Sequence, residues 1–153
     1  MPVAWRLVKN VHAATAFSGE GAARTGGRWN SYGRHVVYAS SSRSLAVLEN
    51  LVHLDFPVAH LMALFRVEFH GGLITTLPPK SLPSEWRIDP PAGSTQKLGD
   101  QWITDAHACV LAVPSAIVPE EVNYLLNPAH PDFAKLKISA PEAFALDPRL
   151  LKS

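Results

Sequence analysis

The sequence predicts an α+β fold made as one domain over residues 1–153, with a mixed or antiparallel sheet and a few helices. Three observations carry that prediction. A chain of 153 residues is about one domain's worth of core. Segments with strand character outnumber those with helical character, and the clearest is Leu61–Phe69, where Leu61, Ala63, Phe65, Val67 and Phe69 alternate with Met62, Leu64, Arg66 and Glu68. These segments do not alternate with helices in the βαβ rhythm of a doubly wound sheet.

Taken in order, Val3–Val8 reads as a strand, and Gly19–Gly33 as a glycine-rich stretch holding five of the nine glycines. His35–Ser40 reads as a strand with Val36, Tyr38 and Ser40 on one face and Val37 and Ala39 on the other. Ser41 or Ser42 then caps a helix running through Leu54, because a serine oxygen accepts from amides left free in the first turn. At about 100° per residue, Leu45, Leu48 and Val52 share the face expected to be buried, with Glu49 at its border. The prolines clustered in Leu77–Pro83 and Asp89–Gly93 predict a long irregular surface loop, carried to Gly99. Beyond it, His107–Val113 reads as a strand stopped by Pro114, Asn123–Leu126 as a short strand or turn, and Ile138–Leu146 as a weaker strand interrupted by Pro141.

Composition narrows the function classes. Fourteen Lys+Arg against thirteen Asp+Glu leave a net charge of +1, too little for the many phosphate contacts of a nucleic-acid binder. The single cysteine, Cys109, excludes an internal disulfide framework and fits a reducing compartment, so the cytoplasm is the expected location. Arg6 and Lys9 interrupt what a secretory peptide would keep apolar, and Glu49, Asp55 and Pro57 break the most apolar window, so neither a signal peptide nor a membrane span is expected. The seven histidines show no metal-ligand spacing, and no metal is expected.

Several residues stand out as carriers of chemistry. Gly26-Gly27-Arg28-Trp29-Asn30 places a planar fork of donors beside backbone that a ligand can approach closely, which suits phosphate or carboxylate; the competing reading is a turn whose arginine stacks on Trp29. Glu49, the only acidic residue of its helix, either works on a ligand or pairs with a cation such as Arg28 or Arg43. Tyr38 either offers its ring to a flat ligand or is a core tyrosine with a wet hydroxyl. Ser115 follows a strand end, where a hydrogen-bonding role fits better than a nucleophile's, since no His/Asp pattern accompanies it.

In chain order, Phe17-Ser18-Gly19-Glu20-Gly21-Ala22-Ala23-Arg24-Thr25-Gly26-Gly27-Arg28-Trp29-Asn30, Val36–Ser40, Leu45–Glu49, Val113–Pro119, Asn123–Pro128, His130–Phe133 and Asp147–Leu150 resemble the RES-domain toxins of bacterial RES/Xre-type toxin–antitoxin modules. The resemblance covers nearly the whole chain, with local departures at Tyr32 and in the loop from Leu77 to Gly99. It implies an ADP-ribosyltransferase-like fold and consumption of NAD⁺ as substrate, with no bound cofactor and with inorganic phosphate as a possible co-substrate. It implies that Arg28 and Glu49 are catalytic and that Arg28, Asn30, Tyr38, Ser40 and Ser115 contact NAD⁺. Cleavage of the nicotinamide–ribose bond is expected, by glycohydrolysis or phosphorolysis, or with transfer of ADP-ribose to a protein. The implied partner is an antitoxin with an Xre-like helix-turn-helix part that covers the active site in a hetero-oligomer and takes over any DNA contact. A non-catalytic partner-binding domain is the competing class, and the low charge and apolar content suit both.

Overall fold

The computed structural model describes residues 1–53 and 61–151. Its strands are β1 (Val3–Lys9), β2 (Val37–Ser40), β3 (Leu61–Glu68), β4 (Ile74–Thr76), β5 (Val110–Pro114), β6 (Val122–Leu126), β7 (Lys137–Ile138) and β8 (Glu142–Ala145). They form one sheet in the order β4-β5-β6-β2-β1-β3-β7, with β8 also on β3. Every pairing is antiparallel except β4 with β5, so the sheet is mixed, as predicted. Among the described residues three α-helices accompany it: α1 (Glu20–Thr25), α2 (Arg43–Leu51) and α3 (Gly93–Asp105). Among the described residues, none of these helices is long and apolar enough to cross a membrane.

The sheet is covered on both faces, and the register assigns each side chain to one of them. Ala4, Val37, Ala39, Val67, Phe69, Val110 and Leu126 pack on one face. On the other, two apolar clusters lie side by side. Leu7, Met62 and Leu64 meet Ala46 of α2; Leu111, Val113 and Leu125 meet Trp29 and Trp102, the latter from α3. Across four strands, Trp5 pairs with Ser40, Ser40 with Asn123, and Asn123 with Val113. Directly opposed residues share a face. This row therefore runs apolar, polar, polar, apolar, and a polar seam separates the two clusters.

The period of two in β3 holds only over its second half. Met62 and Leu64 are as buried as Ala63 and Phe65, because α2 and Leu146 cover the face that alternation leaves to solvent, while Leu61 is exposed. The helix expected after Ser41 or Ser42 is α2, capped by Ser42, whose Oγ accepts from the Leu45 amide at 3.0 Å. It ends at Leu51, and the predicted last residue, Leu54, lies outside the described residues. Its orientation corrects the expectation. Leu45 and Ala46 are the buried residues, while Leu48 is 39% and Val52 60% exposed. The buried arc is turned by about 75° from the Leu45–Leu48–Val52 stripe, which brings Glu49 from its border to its middle.

The second correction is α3, which replaces the end of the predicted irregular loop. Its buried positions are Thr95, Gly99 and Trp102, at helical spacing but with little apolar content, so no stripe announces them. Gly99 is there for close approach: a Cβ at this position would sit 1.6 Å from the carbonyl oxygen of Trp29. Gly21, in α1, has nothing within 4 Å of the corresponding point. We therefore expect Gly99→Ala to destabilise the fold by about 2–3 kcal/mol, lowering the thermal midpoint by several degrees, because backbone must move to admit the methyl group. Gly21→Ala should be neutral or stabilising by up to about 1 kcal/mol. Thermal denaturation of the two variants checks the pair.

Candidate active site

The polar seam is built from four side chains, each from a different part of the fold. Glu49 arrives from α2, Ser40 from the end of β2, Asn123 from β6, and Ser115 from the residue after β5. Ser115 donates to Glu49 Oε2 at 2.7 Å, and the Asn123 amide donates to the same oxygen at 2.6 Å. Ser40 donates to the Asn123 carbonyl at 2.7 Å. Ser115 itself accepts from the amides of Ile117 and Val118, each at 3.1 Å, so its only proton is left for Glu49. Among the described residues no ion pair includes Glu49 and no hydrogen bond reaches its Oε1. The pairing of Glu49 with Arg28 or Arg43 weighed from the sequence is not formed; Arg43 instead stacks 3.8 Å from the centroid of the Trp5 ring.

The second half of the site is the glycine-rich turn. Gly27 and Asn30 form a two-residue bridge, the Gly27 amide donating to the Asn30 carbonyl at 2.9 Å. Gly26, at φ 70°, takes backbone that favours glycine. At Gly27 a Cβ would lie 2.8 Å from both the Asn30 Oδ1 and the Tyr38 hydroxyl, which leaves no room for one. That hydroxyl donates to Asn30 Oδ1 at 2.6 Å and accepts from the Trp29 amide at 3.1 Å. Burial pushes the Tyr38 phenol above its ordinary pKa, so it stays neutral and able to donate. Asn30 is 0% exposed and donates from its amide to the carbonyls of Ala22 and Arg34. Helix α3 clamps the turn from outside: Gln96 donates to the Gly27 carbonyl, and Asp100 accepts from the Ser31 amide and hydroxyl.

Arg28 does not stack on Trp29 in a free turn; it is fastened to the proline-rich loop. Its Nη1 donates to the carbonyls of Trp86 and Ile88, both at 2.8 Å. One edge of the guanidinium is thereby fixed. Among the described residues nothing bonds Nε or Nη2, the edge that can grip an oxyanion with two parallel donors. Arg87, between the two carbonyls, donates to the Ala116 carbonyl at 2.9 Å. Residues 86–88 thus cross from the arginine to the segment beside Ser115. Beneath them, a cleft of about 370 Å³ is lined by Leu82, Trp86, Val113, Pro114 and Val122, among others. A second cavity of about 420 Å³, walled by Phe69, Leu73 and Lys137, opens on the other face of the sheet; neither cavity is lined by a seam residue or by Arg28.

Every residue singled out from the sequence therefore falls into one of two neighbouring groups, and strand β2 joins them, since Tyr38 and Ser40 are two apart on one face. Arg28 and Glu49 keep hydrogen-bonding capacity in hand. Ser40, at 4% exposure, and Ser115, at 0%, spend theirs on Asn123 and Glu49, and Asn30 spends its own on the turn. Two contributors escape a sequence reading. Asn123 is polar on the inward face of an otherwise apolar strand, where asparagine is depleted, and that placement is the signal that finds it. Gln96, Gly99 and Asp100 sit in a helix that the composition hides.

Comparison with known proteins assigns the family. A family model described as RES domain matches residues 3–147. A protein named Toxin Res from Yersinia enterocolitica is 40% identical over 148 residues, covering 95% of this chain and 97% of its own. Prs ADP-ribosylating toxin from a Sphingobium species is 38% identical over 154 residues, covering 97% and 96%. The crystal structure of the Mycobacterium tuberculosis MbcT–MbcA toxin–antitoxin complex superposes with a TM-score of 0.75 at 18% identity, covering 97% of this chain and 85% of that one, a likeness of fold. With the fold, the glycine-rich turn and the Glu49 seam all lying inside the matched span, this chain belongs to the RES domain family.

Proposed function

We propose that this chain is the toxin of a bacterial toxin–antitoxin pair and that it consumes NAD⁺ by breaking the bond between nicotinamide and ribose. The observation that carries the reading is that, among the described residues, Glu49 has no cation and is held by one oxygen only, while Arg28, in the group that strand β2 joins to it, leaves a two-donor edge unbonded. NAD⁺ asks for both features. Its pyrophosphate suits the Nε/Nη2 edge of Arg28, and positive charge develops on the ribose as the bond breaks. The electron pair of the C–N bond passes to the nicotinamide ring, which leaves neutral, so no strong general acid is needed. An oxygen nucleophile then adds to the ribose carbon and loses its proton. Water gives ADP-ribose, and inorganic phosphate gives ADP-ribose 1″-phosphate. In this reading Glu49 Oε1 faces the ribose, Tyr38 supports the turn that carries Arg28, and Ser115 acts through Glu49.

A protein side chain is the alternative acceptor, favoured by the relative named as an ADP-ribosylating toxin. The partner we propose is an antitoxin carrying an Xre-like helix-turn-helix part. Support comes from the structural neighbour, itself a toxin–antitoxin complex, and from the apolar Leu48 and Val52, which α2 turns to solvent on the helix that carries Glu49. The net charge of +1 leaves DNA contact to the partner.

Incubating the purified chain with NAD⁺, with and without phosphate, and identifying the products tests the reading. We expect NAD⁺ to disappear, and growth of a bacterial host expressing the chain to stop unless the neighbouring gene's product is co-expressed. Unchanged NAD⁺ would sink the proposal. Glu49→Gln keeps a carbonyl that accepts from Ser115 and Asn123, so the fold should survive while turnover falls by about 100-fold, or about 3 kcal/mol, with NAD⁺ affinity little changed. Arg28→Lys replaces a planar fork by a compact ammonium, which cannot serve the loop carbonyls on one edge while presenting two parallel donors to an oxyanion on another. We expect KM for NAD⁺ to rise by about tenfold as turnover falls, measured by steady-state kinetics.

A further inference from the structure

We infer that Asn123 and Ser40 are positioning residues, setting the Glu49 carboxylate for the proposed NAD⁺ chemistry without touching the substrate; the inference rests on the reading of Glu49 as the group that faces the ribose. A carboxylate only accepts hydrogen bonds, so the Asn123 atom 2.6 Å from Glu49 Oε2 is the amide nitrogen. The Asn123 carbonyl is then turned to Ser40, and Ser40 Oγ, 2.7 Å away, donates to it. Donation runs one way, from Ser40 through Asn123 to Glu49. Ser115 reaches the same Oε2 from the other side, with its own lone pairs occupied by two backbone amides.

The arrangement solves a specific problem. The terminal torsion of a glutamate is broad and nearly two-fold, so a carboxylate on a helix surface does not choose which oxygen it presents. Two donors from separate elements meeting on Oε2 remove that freedom and leave Oε1 to face outward. The asparagine has a similar ambiguity, because a flipped amide would set its carbonyl against the carboxylate. The acceptor-only carboxylate disfavours the flip, and the Ser40 hydroxyl, by donating to the Asn123 carbonyl, holds the amide plane in the orientation that aims its nitrogen at Glu49. Ser40 and Asn123 are directly paired across β2 and β6, and the backbone register keeps them opposite each other whether or not a ligand is bound. Ser40 is 4% exposed, which leaves a dinucleotide little to contact, and half-buried Asn123 spends its carbonyl on Ser40 and an amide proton on Glu49.

Steady-state kinetics of the full chain with NAD⁺ test the inference, using Ser40→Ala, Asn123→Ala and the double variant, each checked for a parental melting profile. Ser40→Ala should lower kcat about tenfold and Asn123→Ala about 100-fold, with KM changed by less than about threefold, because orientation at the reacting carbon is lost while binding is kept. The double variant should match Asn123→Ala, since Ser40 acts only through that amide. A KM that rises in step with the fall in kcat, or effects of the two substitutions that multiply, would overturn it. If the parent chain does not turn over NAD⁺, the proposed function fails by itself. The relay is then judged without substrate, from the Asn123 side-chain amide resonances in NMR spectra of the free chain. Resonances displaced by Ser40→Ala and by Glu49→Gln support the relay, and resonances unmoved by both reject it. Ser40→Ala, the mildest change, keeps the test available if Asn123→Ala does not fold.

Discussion

A carboxylate at the centre of a helix's buried arc is the constraint around which this molecule is organised. Drawing charge toward an apolar core without partners is costly, and among the described residues no cation pairs with half-buried Glu49. Two neutral donors supply the compensation, from the end of β5 and from β6. That requires α2 to lie with Glu49 toward the sheet, at the expense of Leu48 and Val52, which are left outside. It also requires the two apolar clusters to part along the Ser40–Asn123 row. The position of α2, the division of the core and the exposure of an apolar helix edge thus share one cause.

The same economy governs the arginine half. Arg28 is carried on a turn whose tightness depends on residues without side chains at Gly27 and Gly99, the one making room for Tyr38 and Asn30 and the other for the Trp29 carbonyl. The turn is stiff because its polar groups are used internally, and the arginine's outer edge is available because the loop carbonyls take the inner one. Preorganised groups of opposite sign, each satisfied on its protein side and open on the other, need little rearrangement when a charged ligand arrives. A dead scaffold has no physical need for either arrangement, which weighs against the purely partner-binding alternative.

Much of this was legible in the residues alone. The order of β1, β2, β3, β5 and β6, the serine cap and the break in the last strand at Pro141 follow from alternation, capping chemistry and proline's missing donor, all local properties. Arg28, Glu49, Tyr38 and Ser115 stood out as candidates, but each carried a plain structural reading beside the chemical one, and the family resemblance rather than the residues favoured the chemical reading. Helix α3 was not legible. Its inward positions are Thr95, Gly99 and Trp102, chosen for close approach to a turn some seventy residues away, and no apolar period records a contact of that kind.

What the sequence by itself determined is the inventory: an α+β chain of one domain's length, a glycine-rich turn with its arginine, and an acid near the core edge of a capped helix. What only the tertiary structure decided is how those groups are spent. Rotation of α2 by about 75° is invisible to a count of apolar residues, because the energy that sets it lies in hydrogen bonds from Ser115 and Asn123, sixty-six and seventy-four positions along the chain. The resemblance implied that Ser40, Asn30 and Ser115 contact NAD⁺, yet each already holds a protein partner, and a polar side chain carries no mark of that in the sequence. Strand register supplies that information, and register is fixed only when the whole sheet is assembled.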